Sequence, residues 1–311
     1  MDRRTFLACA GAVPFVRSGG ARADAGRLLV VIDLLGGNDG LGTVMPWADP
    51  LFYRLRPTIA PDRRAALPLD DVTALHPSLR AVLPLWQAGE LAVVQGVGCA
   101  EAGLSHVRAR EMMGCGMLDD PASRSPTGAG EAAPSVALDA VGRHAMRRRF
   151  GFPEGELGAA LAGACAALAD GSTVSVVQAT LDGFDTHENQ PALHAALLAE
   201  LAGSLAALRD VLRALGRWDD TLVMTRSEFG RRAPENLTAG TDHGCAGVQF
   251  LAGGRVAGGL HGAVPRLDAL DERGGLYPTV DARALYAGAA GYWLGESADA
   301  GHAPPGGLFR V

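Results

Sequence analysis

The stretch Leu28–Leu29–Val30–Val31–Ile32–Asp33–Leu34–Leu35–Gly36–Gly37–Asn38–Asp39–Gly40 sets the reading of the whole chain. Residues Leu28–Leu34 form an apolar run rich in β-branched side chains and broken only by Asp33, the pattern of a strand buried on both faces. Runs of the same kind recur at Leu91–Val97, Val174–Thr180, Thr221–Thr225 and Val248–Leu251. Longer stretches with helical spacing accompany them, at Val72–Ala88, Ser105–Met113, Glu156–Ala169, Pro191–Leu215 and Asp281–Leu294. Strands alternating with helices predict an α/β fold: a doubly wound, mostly parallel sheet with helices on both faces. Asp119–Pro134, rich in Pro, Ser, Gly and Ala, reads as an exposed loop, and Gly295–Val311 as a loop-like tail.

Composition narrows the chemistry. The chain has 311 residues, of which 48% are hydrophobic and 20% charged, enough apolar material for a large buried core. All 28 basic residues are arginine. A Walker phosphate loop, a pyridoxal Schiff base and the phosphate anchor of a protein kinase each need a lysine, so all three are excluded. A formal net charge of −6 and only 5% aromatic residues argue against nucleic acid as a partner, which would favour a basic surface and stacking platforms.

At the N-terminus, Met1–Asp2–Arg3–Arg4–Thr5–Phe6–Leu7 places paired arginines before the apolar stretch Leu7–Val16, in the manner of a twin-arginine export signal. That stretch is too short and too Gly/Pro-broken to span a bilayer, and Ala21–Arg22–Ala23 has the small-x-small form of a cleavage site. Residues 1–23 therefore read as a signal peptide and 24–311 as one domain. The twin-arginine export machinery would deliver that domain folded to the periplasm or the medium. Cys99, Cys115, Cys165 and Cys245 would then meet an oxidising compartment, and their spacing matches no CxxC or zinc-finger pattern.

In an open parallel sheet, ligands bind beyond the carboxyl ends of the strands. Asp33 and Gly36–Gly37–Asn38–Asp39–Gly40 end the first strand, and Asp185 and His187 follow the third. Ser227, Glu228, Asp242 and His243 follow the fourth. Carboxylate and imidazole groups converging on one edge suit zinc, manganese or a similar divalent ion, one or two in number. Each piece also has a plainer account: Asp33 as a turn cap, Asp242–His243–Gly244 as a turn, Arg231–Arg232 as a solvated pair. Ser105, opening a helix, suits an N-cap as well as a nucleophile for an anionic ester, with Arg108 or Arg231 pairing with the anion. His261 is a further possible ligand, His76 reads as structural, and His144, His194 and His302 as solvated.

A set of motifs carries a resemblance. It comprises the twin-arginine start, Val30–Gly40, Asp49–Pro50–Leu51–Phe52–Tyr53, Leu75–His76–Pro77, Ser105–His106, Gly183–Phe184–Asp185–Thr186–His187, Ser227–Glu228–Phe229–Gly230–Arg231 and Thr241–Asp242–His243–Gly244. Together they resemble the domain-of-unknown-function 1501 family over nearly the whole mature chain. That family is similar to the alkaline phosphatase and sulfatase superfamily, which implies an alkaline-phosphatase-like domain with a two-metal site. By the resemblance, Asp33 would ligate a first metal completed by Asp242 and His243, Asp185 and His187 would ligate the other, and Ser105 would be the nucleophile. Asn38, Asp39 and Glu228 are further candidates, and only His261 could supply the additional histidine of a full second site. The C-x-P-x-R signature of formylglycine sulfatases is absent, and the segment between Met113 and Phe150 is short for the family. The resulting expectation is an exported, metal-dependent hydrolase of phosphate or related esters. Its rivals are a non-catalytic metal-binding or surface-assembly protein and a redox enzyme using Cys99 or Cys115.

Overall fold

The computed structural model describes residues 15–17, 26–99, 105–107, 109, 140–295 and 307–310. Most of the expected signal peptide, the expected loop 119–134, Arg108, Cys115 and His302 lie outside the described residues.

The large sheet has eight strands: β1 (Phe15–Arg17), β2 (Leu28–Leu35), β3 (Leu91–Gly98), β4 (Val176–Asp182), β5 (Thr221–Ser227), β6 (Ala246–Ala252), β7 (Gly259–His261) and β8 (Val280–Asp281). Their order is β1-β4-β2-β5-β6-β3-β7, with β8 also paired to β3. The pairs β2–β4, β2–β5, β3–β7 and β3–β8 are parallel, so the sheet is mostly parallel as expected. Strands β1 and β6 run against the rest. For β6 the cause is the connection: no crossover helix separates it from β5, and a strand that returns through a loop alone pairs antiparallel.

Four helices of ten residues or more accompany the sheet among the described residues: α1 (Ala140–Phe150), α2 (Glu156–Ala169), α3 (Gln190–Ala214) and α4 (Ala282–Leu294). Side chains alternate along β2 and sort the layers. Leu28, Val30, Ile32 and Leu34 pack in one cluster with Leu161 of α2 and Leu198, Leu201 and Leu205 of α3. Leu29 and Val31 pack in the other with Leu285, Tyr286 and Ala289 of α4. Each fully buried aliphatic side chain of this kind contributes about 1.5–3 kcal/mol. Helix α3 is long and apolar enough by composition to cross a membrane, yet here it packs as a core helix against the sheet.

Two expectations need correcting. Val72–Ala88 is not one helix: Ala74–Leu75 joins a small sheet with Val44–Met45 and Leu67–Pro68, followed by a 3-10 turn at Pro77–Val82 and a short helix at Leu83–Gln87. Pro77 explains the break, because the residue before a proline is driven out of the helical region, and His76 is extended at ψ 142°. His76 is structural as expected, its Nδ1 accepting the Ser78 N–H at 3.1 Å. His194 is not solvated but buried, on the face of α3 turned toward the glycine-rich turn after β2.

Candidate metal centre

The site is assembled where three loops close over the carboxyl ends of β2, β4 and β5. Gly36 and Gly37 have φ of +106° and +86°, a region glycine enters without strain. A Cβ on Gly36 would lie 2.3 Å from the Asp185 amide nitrogen, and one on Gly37 would lie 2.4 Å from the Phe229 ring. The two glycines thus allow the β4 and β5 loops to reach the β2 turn. Arg231 locks the three together from within, at 1% exposure. Its guanidinium donates to Gly37 O (2.9 Å), Phe184 O (3.0 Å), Thr241 O (2.7 Å), Asp185 Oδ1 (2.8 Å) and Gly36 O. Arg231 is therefore neither a solvated surface residue nor free to bind an anion; a buried guanidinium is tolerated because each of its three nitrogens has an acceptor.

Above this clamp, His187 Nε2 and His243 Nε2 stand 2.9 Å apart, and Asp185 Oδ1 lies 3.1 Å from the first and 3.2 Å from the second. His106 completes the group, with Nε2 at 3.6 Å from Asp185 Oδ2. The His106 and His243 rings meet edge to face at 4.7 Å, and the Phe229 ring packs against both. His106, Asp185 and His243 each offer a donor atom within 4.8 Å of the others. Nitrogen and oxygen ligands held about 2.0–2.1 Å from a zinc ion stand roughly 3.3 Å apart at tetrahedral angles. The spacings of His187, His243 and Asp185 match that edge, so the residues fit a divalent cation of the zinc or manganese type.

Carboxylates stand behind two of the imidazoles, the arrangement that fixes a ligating ring. Glu228, with its side chain fully buried, bonds His106 Nδ1 through Oε2 and accepts the Gly36 N–H at 3.2 Å through Oε1. Asp242 Oδ1 lies 3.4 Å from His187 Nδ1. Burial pushes the Asp185 carboxyl upward, but hydrogen bonds from Arg231 and His243 and the charge of Arg231 outweigh it, and the acid is held below the usual range. Asp242 is lowered in the same way: burial opposes, while bonds from Asn236 and His187 and the Arg232 charge prevail. Both acids are thus anionic at neutral pH, as ligation requires.

The structure therefore brings Asp185, His187, Asp242, His243 and Glu228 to one place and leaves other candidates elsewhere. Asp33 points with Leu29 and Val31 toward α4, where Arg226 grips it through Nε (2.7 Å) and a terminal nitrogen (3.0 Å) and Gln178 adds a bond of 2.6 Å. Asp39 is gripped by Arg56 at 2.6 and 2.9 Å, and Asn38 Oδ1 bonds Thr43 and His194, both at 3.0 Å. His261 contacts the Ala257 carbonyl at 2.9 Å from its place on β7. Ser105 is exposed and immediately precedes His106. Sequence reasoning singled out Ser105 and passed over His106, whose signal was the Ser105–His106 motif lying just beyond the end of β3.

Fold and site together define a mixed α/β protein with an imidazole–carboxylate centre at the edge of a mostly parallel sheet. Residues 131–275 match the family described as "Protein of unknown function (DUF1501)", which supports the family the motifs indicate. The matched span holds Asp185, His187, Glu228, Asp242 and His243, but not His106. No curated protein matches the chain. Among solved structures, it is similar to "Crystal structure of Ps i-CgsB in complex with k-i-k-neocarrahexaose", at 10% identity and a TM-score of 0.33 over 89% of this chain and 74% of that one. It is also similar to "Crystal structure of Ps i-CgsB", at 11% identity and a TM-score of 0.32 over the same shares.

Proposed function

We propose that this chain is an exported, metal-dependent hydrolase of phosphate or related anionic esters with an alkaline-phosphatase-like fold. The observation that carries the reading is the convergence of His187 Nε2, His243 Nε2 and Asp185 Oδ1 within 3.2 Å of one another. His106, His187, His243 and Asp185 would hold a zinc or manganese ion, and Asp242 and Glu228 would orient His187 and His106. Such an ion supplies Lewis-acid polarisation of an ester oxygen and lowers the pKa of an attacking hydroxyl. Ser105, exposed and next in sequence to His106, is the candidate hydroxyl. With Asp33 held by Arg226 and His261 away on β7, the donors suit one ion better than two.

Metal analysis of the purified protein, with p-nitrophenyl phosphate and bis(p-nitrophenyl) phosphate assayed for wild type, His243→Ala and Ser105→Ala, tests this. About one zinc or manganese per chain and turnover lost in both variants are expected. Protein with no bound metal, or turnover indifferent to both changes, overturns it. The Asp33–Arg226 pair also favours a second reading, a non-catalytic metal-binding protein on the same fold; metal bound by His243 without turnover of either ester selects it. Export by the twin-arginine route is part of the proposal and rests on Arg3–Arg4 and the apolar stretch after them. Cleavage after Ala23 would remove β1 from the sheet edge, and N-terminal sequencing of exported protein should begin at Asp24.

A further inference from the structure

Cys99 follows the last residue of β3, and Cys245 precedes the first residue of β6. These strands pair antiparallel, with Ala246 opposite Gly98. One step further along the same register sets Cys245 opposite Cys99. The backbones are close at this end of the ladder: a Cβ on Gly98 would lie 2.1 Å from the Cys245 carbonyl oxygen. Directly opposed residues of an antiparallel pair have Cα atoms about 4.5–5.5 Å apart, inside the roughly 4.4–6.8 Å span of natural disulfides. Both cysteines are partly exposed, so a reagent can reach them, whereas Cys165 is enclosed in the α2 core and burial pushes its thiol up to about 12.

We infer that Cys99 and Cys245 are a disulfide-forming pair, a cross-strand link that ties the start of the segment leading to His106 to the strand that follows His243. The oxidant is a low-molecular-weight disulfide. One cysteine thiolate attacks it and expels one thiol, leaving a mixed disulfide; the second thiolate attacks the protein sulfur and expels the other thiol. The protein loses two hydrogens and two electrons, and the oxidant becomes two thiols. The link is independent of any metal or hydrolytic activity.

The absence of lysine makes the test simple, because an arginine-specific protease places Cys99 in peptide 81–108 and Cys245 in peptide 233–255, apart from Cys9, Cys115 and Cys165. The full chain is incubated with oxidised glutathione, alkylated and digested without reduction. The expected product is peptide 81–108 joined to 233–255, and a melting temperature on the order of 5–10 °C above that of the dithiothreitol-reduced protein, for a link closing so long a loop. Cys99→Ser and Cys245→Ser should each melt like the reduced wild type and lose the oxidant-dependent rise. Recovery of both peptides as free or glutathione-capped thiols overturns the inference. So does a link from either peptide to the one bearing Cys115 or Cys9, or a rise that survives both substitutions. If one variant fails to fold, the peptide map of the wild type still decides.

Discussion

Glu228 is where the metal reading can be pressed hardest, because its effect has to pass through another side chain. Its carboxylate is fully buried and bonds His106 Nδ1 on one side and the Gly36 N–H on the other. An anion there keeps the proton on Nδ1 and the lone pair of Nε2 turned to the centre. Glu228→Ala frees the ring and strands the Gly36 amide. Loss of such an outer partner weakens metal binding about 10–100-fold, which is about 1.4–2.8 kcal/mol. Glu228→Gln should do no better. If the Gln oxygen faces Nδ1–H, its amide nitrogen meets the Gly36 N–H donor to donor. If it turns round, it donates to Nδ1 and forces the proton onto Nε2, where ligation needs a lone pair. The assay is zinc competition against a chromophoric chelator, with thermal midpoints to confirm folding and 15N spectra of the rings to report the tautomer. Zinc affinity within twofold of wild type in both variants would refute the assignment of Glu228 and with it the place of His106 in the centre.

Asp33→Asn separates the structural acid from the ligands: zinc affinity should stay within twofold, while urea unfolding shows a loss of about 3 kcal/mol because Arg226 is left without its buried counter-charge. A large drop in zinc affinity would instead return Asp33 to the centre. Arg56→Met leaves the Asp39 carboxylate with the Gln190 amide at 2.6 Å but no counter-charge, and strands the Ala233 and Arg232 carbonyls that Arg56 bonds at 2.7 and 2.9 Å, so it should cost about 3–5 kcal/mol; a loss under about 1 kcal/mol sinks the reasoning. Burial lowers the His194 pKa to about 4, so below about 6.5 the unfolded chain takes up a proton that the folded chain refuses. Stability should fall by on the order of 3 kcal/mol as pH drops from about 6.5 to about 4, and His194→Gln should flatten that limb. An equally steep limb in the variant would show that other groups cause it. Asp39 adds a lower limb: burial opposes ionisation, but Arg56 holds its pKa at about 2, so its share of stability is lost as pH falls through that value.

Much of this architecture is legible in the sequence. Each of the predicted strand runs lies within two residues of an observed strand, and the Glu156–Ala169 helix matches to the residue, because unbroken apolar runs and helical spacing report burial directly. Direction is not encoded that way. The β6 run looks like its neighbours and differs only in lacking a helix before it, a cue carried by the connection and not by the strand. At the site, Asp185, His187, Asp242 and His243 were readable as acids and imidazoles on strand-following loops. Asp33 was misleading because alternation within a strand, not its place near the strand's end, decides which face a side chain takes. His106 was hidden for the opposite reason: one histidine beside one serine carries little pattern, and its role appears only when Glu228, far away in sequence, is brought beside it.

The all-arginine composition gains a physical meaning from the buried pairs. Arg56, Arg226 and Arg231 are each at most 4% exposed, and each faces a carboxylate from the loop or strand end it supports: Asp39, Asp33 and Asp185. A lysine would offer one point charge where the guanidinium reaches several acceptors in a plane, and burial would pull a lysine toward neutrality while an arginine stays charged. The same commitment removes these three cations from ligand recognition. On the proposed function, an anionic ester would be met by an ion held by the imidazoles and not by these guanidinium groups, and Arg231 would act one step back, by keeping Asp185 ionised and aimed. Replacing Arg231 with Lys should therefore lower metal affinity and stability together, and a variant that lost ester affinity alone, with metal binding and melting temperature unchanged, would show that its guanidinium touches the ligand after all.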